Sequence, residues 1–358
     1  MMEKSFDYLP VLKWRQGEYQ ALMRLKTHVK DAVLPLIVVP PVEYDFEEER
    51  PKKTVQEHIE PFAKRYSAKW GKRNSLIDLH ESLEGATMDS GSLVVTHIFD
   101  SLRSASLNAV PVVKISHNND HLSAIKSIVS VDNKGVAIRV KMHHLMSPTL
   151  DGDIRKLVAY LGLNYQNVDL VIDLEVPQSF EPYAAFAKAL SVAIKRISNI
   201  ADFRSFSIVG TSLILSEIKK PGGEQVRHEW FLYQQLLKEL SGVRSPTFGD
   251  YTIETPEFIS LDMRRLKPAG KIVYTTENTW LISKGSNFRE NNEQMVGHCK
   301  TIIESGYYQG RDYSEGDKRI YDTFHGVEGT GQLKTWKEVG VSHHITQVVD
   351  QLSKFHAP

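Results

Sequence analysis

The sequence predicts an α/β fold, a single (βα)8 barrel of the TIM-like kind with a β-hairpin insertion and a C-terminal extension. Short apolar or alternating segments recur between stretches of helical length, and the alternation reaches eight units, the number that closes a barrel. An open doubly wound sheet would show a Gly-rich first turn. Here that turn is Trp14-Arg15-Gln16-Gly17-Glu18, without the glycine spacing that holds a dinucleotide.

The first unit pairs a strand over 8–14 with a helix over 17–33, where Leu22, Leu25 and Val29 share one face. The continuous apolar run 34–39 suits a strand buried on both sides, and a helix over 54–70 ends at Gly71. Units three and four are 76–79 with 92–105 and 112–115 with 121–129, each helix led by turn-favouring polar residues. Units five and six are 136–142 with 153–161 and 170–174 with the alanine-rich 183–200. The seventh is 206–209 with 224–240. An eighth strand over 248–253 is separated from its helix by a hairpin, 271–275 and 279–284, that turns at Glu277-Asn278 and stops at Gly285. The helix 294–304 is expected to be the eighth of the barrel, and another over 342–355 closes the chain. The expected layout is a barrel over 1–305 containing the hairpin 271–285, and an extension over 306–358 packed on it. That extension is too poor in apolar periodicity to bury its own core.

Composition narrows the function classes. Lysine plus arginine equals aspartate plus glutamate at 44 each, so net charge gives no indication of nucleic acid as a partner. Cys299, the single cysteine, can form no internal disulfide and no cysteine zinc site, which fits a reducing compartment. Residues 1–8 do not read as a leader, and no apolar run approaches the roughly 20 residues of a spanning helix. A cytoplasmic location without a membrane partner is the expectation.

Side chains alternate along a strand, and the outward set of a helix-wrapped barrel must be apolar, so charged residues should point into the lumen. Arg139 and Lys141 oppose Ile138 and Val140; Asp173 and Glu175 oppose Ile172 and Leu174. Lys114 opposes Val113 and Ile115, Asp78 and His80 oppose Ile77 and Leu79, and Lys13 opposes Leu12. Asp250, within 248–252, is taken as inward on the same logic. These residues sit toward the carboxyl ends of their strands, where barrel enzymes build their sites. Lys13, Lys114, Lys141, Asp173 and Asp250 are the catalytic candidates, with Asp78, His80, Arg139 and Glu175 as ligand-binding neighbours.

Blander readings compete with each. The near-balanced charges can form a self-neutralising network. A lysine in a drier pocket can act as a Schiff-base nucleophile, but no motif selects one of the three. Asp173 and Glu175 could hold a divalent metal with water completing its shell, although two carboxylates without a phosphate motif specify little, and no metal ligand set is assigned. His143-His144 and His343-His344 lack the i, i+4 spacing of a helical zinc pair. Gly222-Gly223 could offer amides to a phosphate but reads first as a loop; Glu47-Glu48-Glu49 reads as solvated, and Cys299 as helix packing.

The segment Tyr8-Leu9-Pro10-Val11-Leu12-Lys13-Trp14 with Gly17-Glu18 and Ala21-Leu22 resembles the beta-protein family named after a bacteriophage beta protein. Leu34-Pro35-Leu36-Ile37, Gly249-Asp250-Tyr251 before Pro256, and the tail Tyr313-Ser314-Glu315-Gly316-Asp317 with Trp336 and His343-His344 extend the resemblance over nearly the whole chain. Gln332 stands where the pattern leads one to expect an asparagine. The resemblance implies a setting in phage and bacterial genomes and no particular reaction. It adds Asp317, Trp336 and His344 to the ligand-binding candidates and picks out Lys13 and Asp250 again. The leading functional expectation is a phage and host conflict protein, of antiviral character, that binds an anionic small ligand such as a nucleotide at the barrel mouth, with or without catalysis. A metal-assisted phosphoester hydrolase is one alternative. The other is a noncatalytic scaffold whose hairpin or tail contacts another phage or host protein.

Overall fold

The computed structural model describes residues 6–258 and 267–357; residues 1–5 of the amino-terminal stretch read above lie outside them. Eight parallel strands close into a barrel: Tyr8–Lys13, Leu36–Val39, Leu76–Leu79, Val110–Val113, Val136–Lys141, Val168–Asp173, Ser205–Val209 and Thr247–Asp250. They are called strands one to eight below. Strand eight closes the ring on strand one, with Asp250 beside Pro10. Among the described residues no helix is long and apolar enough to cross a membrane.

Two apolar layers fix the direction of each side chain. Leu12, Ile77, Val113, Ile138, Ile172 and Phe248 join the core beneath the helices. Leu9, Val11, Val38, Ala137, Val171 and Tyr251 fill the lumen. Helices begin and end on local chemistry: Thr54 and Glu57 make a reciprocal capping box, Asn118 accepts the His121 amide, and Gly162 ends the helix Leu150–Leu161 at φ +70°.

The structure corrects the sequence reading of two elements. The helix Gln294–Ile303 does not wrap the barrel; Met295, Cys299 and Ile302 pack with Ile272 and Tyr274 of the hairpin and with Trp336. The place between the seventh helix, His228–Glu239, and the first, Gln16–Arg24, belongs to the long helix Leu333–Phe355. Its Phe355 ring lies edge-on to Trp230 at 5.3 Å. At the other end, a Cβ on Gly17 would fall 2.6 Å from Lys337. This helix is covered by the barrel on one side and the inserted layer on another, so His343, His344, Thr346 and Gln347 are buried in it. Buried polar residues hide the apolar stripe by which such a helix is recognised in a sequence.

The second correction concerns 222–226. These residues form an edge strand, Gly222–Val226, antiparallel to Thr279–Asn287 of the hairpin. Gly222 has φ +112°, and a Cβ there would lie 1.9 Å from the Ile282 carbonyl oxygen. The glycine pair serves sheet pairing, and the Gly222 amide is spent on the Lys219 carbonyl.

Candidate ligand site at the barrel mouth

Arg139 is the centre of the lumen floor. Its Nη1 donates to Asp78 Oδ2 at 2.6 Å, Nε and Nη2 donate to Asp173 Oδ2 at 2.8 and 2.5 Å, and Nη2 also meets the Tyr251 hydroxyl at 2.8 Å. Tyr251 donates to Asp173 Oδ2 at 2.6 Å, while Asp173 Oδ1 accepts the Glu175 amide at 2.9 Å. That last bond accompanies a left-handed backbone at Glu175, φ +55°, which turns the chain out of strand six. Burial alone would raise the Asp78 carboxyl, but Lys114 and Arg139 outweigh it and hold the group below the usual carboxylate range. Burial and the Asp173 charge keep Tyr251 a neutral donor.

A second layer extends this network sideways. Lys114 Nζ lies 2.9 Å from Asp78 and 2.8 Å from Glu84, and His117 Nε2 lies 3.2 Å from the same Glu84 oxygen. Burial raises Glu84, yet the His117 hydrogen bond and Lys114 bring it down to about 2. Lys114 is itself pushed above its ordinary value, since Asp78 and Glu84 overcome the cost of burial. Both arms of the floor are therefore satisfied ion pairs.

Above them the mouth opens into a cavity of about 500 Å³, a volume suited to a small ligand. Lys13 and Lys141 reach it from strands one and five, which stand opposite each other in the ring. Lys141 pairs with Glu175 at 2.7 Å, with side chains 39% and 33% exposed, so this pair contributes little to stability. Lys13 donates to the Glu257 carbonyl at 2.5 Å and lies 3.3 Å from Glu254. Burial drives Lys13 down to about 8; Glu18 pulls it upward and Arg15 downward. Phe258 roofs this corner, its ring centroid 4.9 Å from Lys13 Nζ and 5.0 Å from the His80 ring.

The remaining candidates stand elsewhere. Asp250 does not face the lumen: it shares parity with Phe248, which packs under the helices, and Tyr251 takes the inward position. Asp250 instead accepts from the Tyr8 hydroxyl, from the Thr252 amide at 2.8 Å and meets His344 Nε2 at 2.9 Å. His344 Nδ1 completes the chain at Thr275 Oγ1, 2.8 Å away. Asp317 is buried against His343 Nδ1 at 2.9 Å and the Tyr274 hydroxyl at 2.7 Å, and the Trp336 indole donates to the Thr330 carbonyl at 2.9 Å. None of these four lines the mouth cavity. They tie the inserted layer and the last helix to the outside of the barrel wall.

The metal pair read from Asp173 and Glu175 is not assembled. Asp173 Oδ2 is committed to Arg139 and Tyr251, and Glu175 faces Lys141. Among the described residues no group of three or more His, Cys, Asp or Glu forms a cluster suited to a metal ion.

A model of the family described as Beta protein matches residues 8–350. The chain belongs to the Beta protein family. Among curated proteins nothing matches it. Solved structures that resemble it include the catalytic domain of a hyperthermophilic chitinase from Pyrococcus furiosus, at 10% identity and TM-score 0.38, covering 69% of this chain and 83% of that one. A glycoside hydrolase family 5 enzyme from Prevotella bryantii aligns at 8% identity and TM-score 0.37, covering 66% and 78%. Likeness this distant carries no functional argument.

In this Beta family member, sequence reasoning found Lys13, Asp78, Lys114, Arg139, Lys141, Asp173 and Glu175, which the structure brings together at one end of the lumen, with His80 on the rim. It missed Tyr251, Glu84, Glu257 and Phe258. A signal existed only for Tyr251: Phe248 is apolar and should be outward, which puts its parity partner Asp250 outward and Tyr251 in. The others come from βα loops, whose paths leave no periodic trace.

Proposed function

We propose that the barrel mouth binds a small anionic ligand, a nucleotide or other phosphorylated compound, between Lys13 and Lys141. The observation that carries this reading is the division of charge at the mouth. Arg139 and Lys114 are locked in the floor, whereas Lys13 and Lys141 face one cavity from opposite walls. The exposed Lys141 pair opens at small cost, and an anion beside Lys13 would restore the charge that burial opposes. Lys13 is also the rim group suited to proton transfer near neutrality, so any chemistry at the mouth runs through it. The phage connection implied by the family resemblance supports a role in conflict between phage and host, in the cytoplasm.

The metal-assisted hydrolase is disfavoured by the commitments of Asp173 and Glu175. The scaffold reading assigns contacts to the hairpin or the tail; of these, the hairpin has Val273, Trp280 and Ile282 on one face and Ile272 and Tyr274 on the other all buried within the chain. A thermal-shift panel of nucleotides, sugar phosphates and divalent metals tests the proposal. Phosphorylated compounds should raise the melting temperature of the parent, and Lys13→Met or Lys141→Ala should reduce the shift. A shift as large as the parent's in both variants would overturn the assignment.

A further inference from the structure

A second cavity, of about 870 Å³ against about 500 Å³ at the mouth, lies at the opposite end of the barrel. It is bounded by Leu76 and Val110, which begin strands three and four, and by Lys134 and Arg204, which precede strands five and seven. In this architecture the amino-terminal end ordinarily serves stability. Yet its wall is strongly cationic: Lys30, Lys72, Arg73, Lys134 and Arg204 face two carboxylates, Asp31 and Asp169.

Both carboxylates are already neutralised. Arg73 holds Asp31 at 3.1 Å, and Arg204 holds Asp169 at 2.6 Å. Lys30 donates to the Met23 carbonyl at 2.6 Å and Lys134 to the Leu107 carbonyl at 2.9 Å. Among the described residues no carboxylate is in ion-pair contact with either ammonium group. A carbonyl oxygen satisfies a hydrogen bond but leaves the charge uncompensated. Lys72 adds an exposed cation at the rim. The floor is apolar, with Phe6, Leu34 and Leu76 in the lumen cluster, and a low-dielectric wall of this kind focuses the field of the cations into the cavity. Burial first and then Arg73 push the Lys30 ammonium below the ordinary lysine value, and Asp31 only partly offsets them. The mouth, by contrast, balances its cations with carboxylates.

We propose that this amino-terminal cavity is a second ligand site, built for a compact phosphate-rich anion held by Lys30, Lys72 and Lys134. The phosphates could be those of a nucleoside triphosphate or of a free oligophosphate. The test titrates inorganic tripolyphosphate, a nucleoside triphosphate and the unphosphorylated nucleoside by calorimetry, at low and high salt, into the full chain and into its Lys13→Met variant, in which the mouth cannot contribute. The phosphate-bearing compounds should bind, more weakly at high salt, and the nucleoside should not. Equal affinity for the two phosphorylated probes identifies free oligophosphate chemistry as sufficient; tighter nucleoside triphosphate binding identifies the nucleotide. Lys30→Gln with Lys134→Gln should weaken this site about a hundredfold, the equivalent of two lost charge-assisted contacts at about tenfold each, and either alone about tenfold. The exposed Lys72→Glu, which disturbs no packing, should do the same. Lys13→Met, at the other end, should leave the site intact. In the Lys13→Met chain, no binding of either phosphorylated probe, binding unchanged by both sets of substitutions, equal binding of the nucleoside, or preferential binding of single-stranded DNA over tripolyphosphate would each overturn the proposal.

Discussion

Replacing Arg139 with methionine removes the cation around which the lumen floor is organised. Asp78 would keep Lys114 at 2.9 Å and the Leu79 amide at 2.8 Å, so it stays compensated. Asp173 would keep only two neutral donors, the Tyr251 hydroxyl at 2.6 Å and the Glu175 amide at 2.9 Å. One fully buried carboxylate is thus stranded, and breaking a buried pair from one side costs about 4 kcal/mol. The penalty should shrink on acidification, because a stranded carboxylate escapes it by taking up a proton. Chemical denaturation of parent and Arg139→Met at about pH 7.5 and about pH 5 reads both effects. Adding Asp173→Asn to Arg139→Met should recover a substantial part of the loss. A variant within about 1 kcal/mol of the parent, or a loss independent of pH, would refute the view that Arg139 neutralises this floor.

Other consequences are equally direct. His344→Gln should cost about 2–4 kcal/mol, and a double-mutant cycle with Asp250→Asn should show coupling above about 1 kcal/mol in denaturation experiments. Burial lowers His344, while Asp250 is held low by His344 against the cost of burial. Both groups therefore bind more protons when unfolded, so stability falls as pH drops, first through the ordinary histidine range and then through the carboxylate range; an acid titration of the melting temperature should show both steps. Lys13 is depressed to about 8 in the fold, so the unfolded chain holds more protons between about 8 and 10.5 and stability rises with pH across that window. Lys13→Met should diminish this rise, the remainder coming from Lys337, which burial also lowers to about 8. Gly222→Ala should destabilise by more than about 1 kcal/mol and increase amide exchange along Thr279–Asn287, because the new Cβ meets the Ile282 carbonyl.

The barrel was legible because its strands obey one rule: apolar residues outward under helices, charges inward. Arg139 between Ile138 and Val140 could hardly be read otherwise. The rule misplaced Asp250 because a buried histidine from a helix nearly a hundred residues later makes an outward carboxylate acceptable. The same long-range pairing hid the eighth helix. His343 and His344 look like surface residues until Asp317, Thr275 and Asp250 are brought to them across the inserted layer. Glu84 and Glu257 were invisible for a different reason, since loop residues carry no period from which direction can be inferred. Location of the mouth followed from local pattern, whereas the division between its doubly paired floor and its rim lysines required the distances.

That division is tested most directly by proton linkage. Calorimetry of a phosphorylated ligand near pH 8, in buffers of different ionisation enthalpy, counts the protons taken up on binding. An anion seated beside Lys13 raises its pKa from about 8, so roughly half a proton should be absorbed, and none in Lys13→Met. Binding without proton uptake in the parent, or uptake that persists in Lys13→Met, would contradict the account.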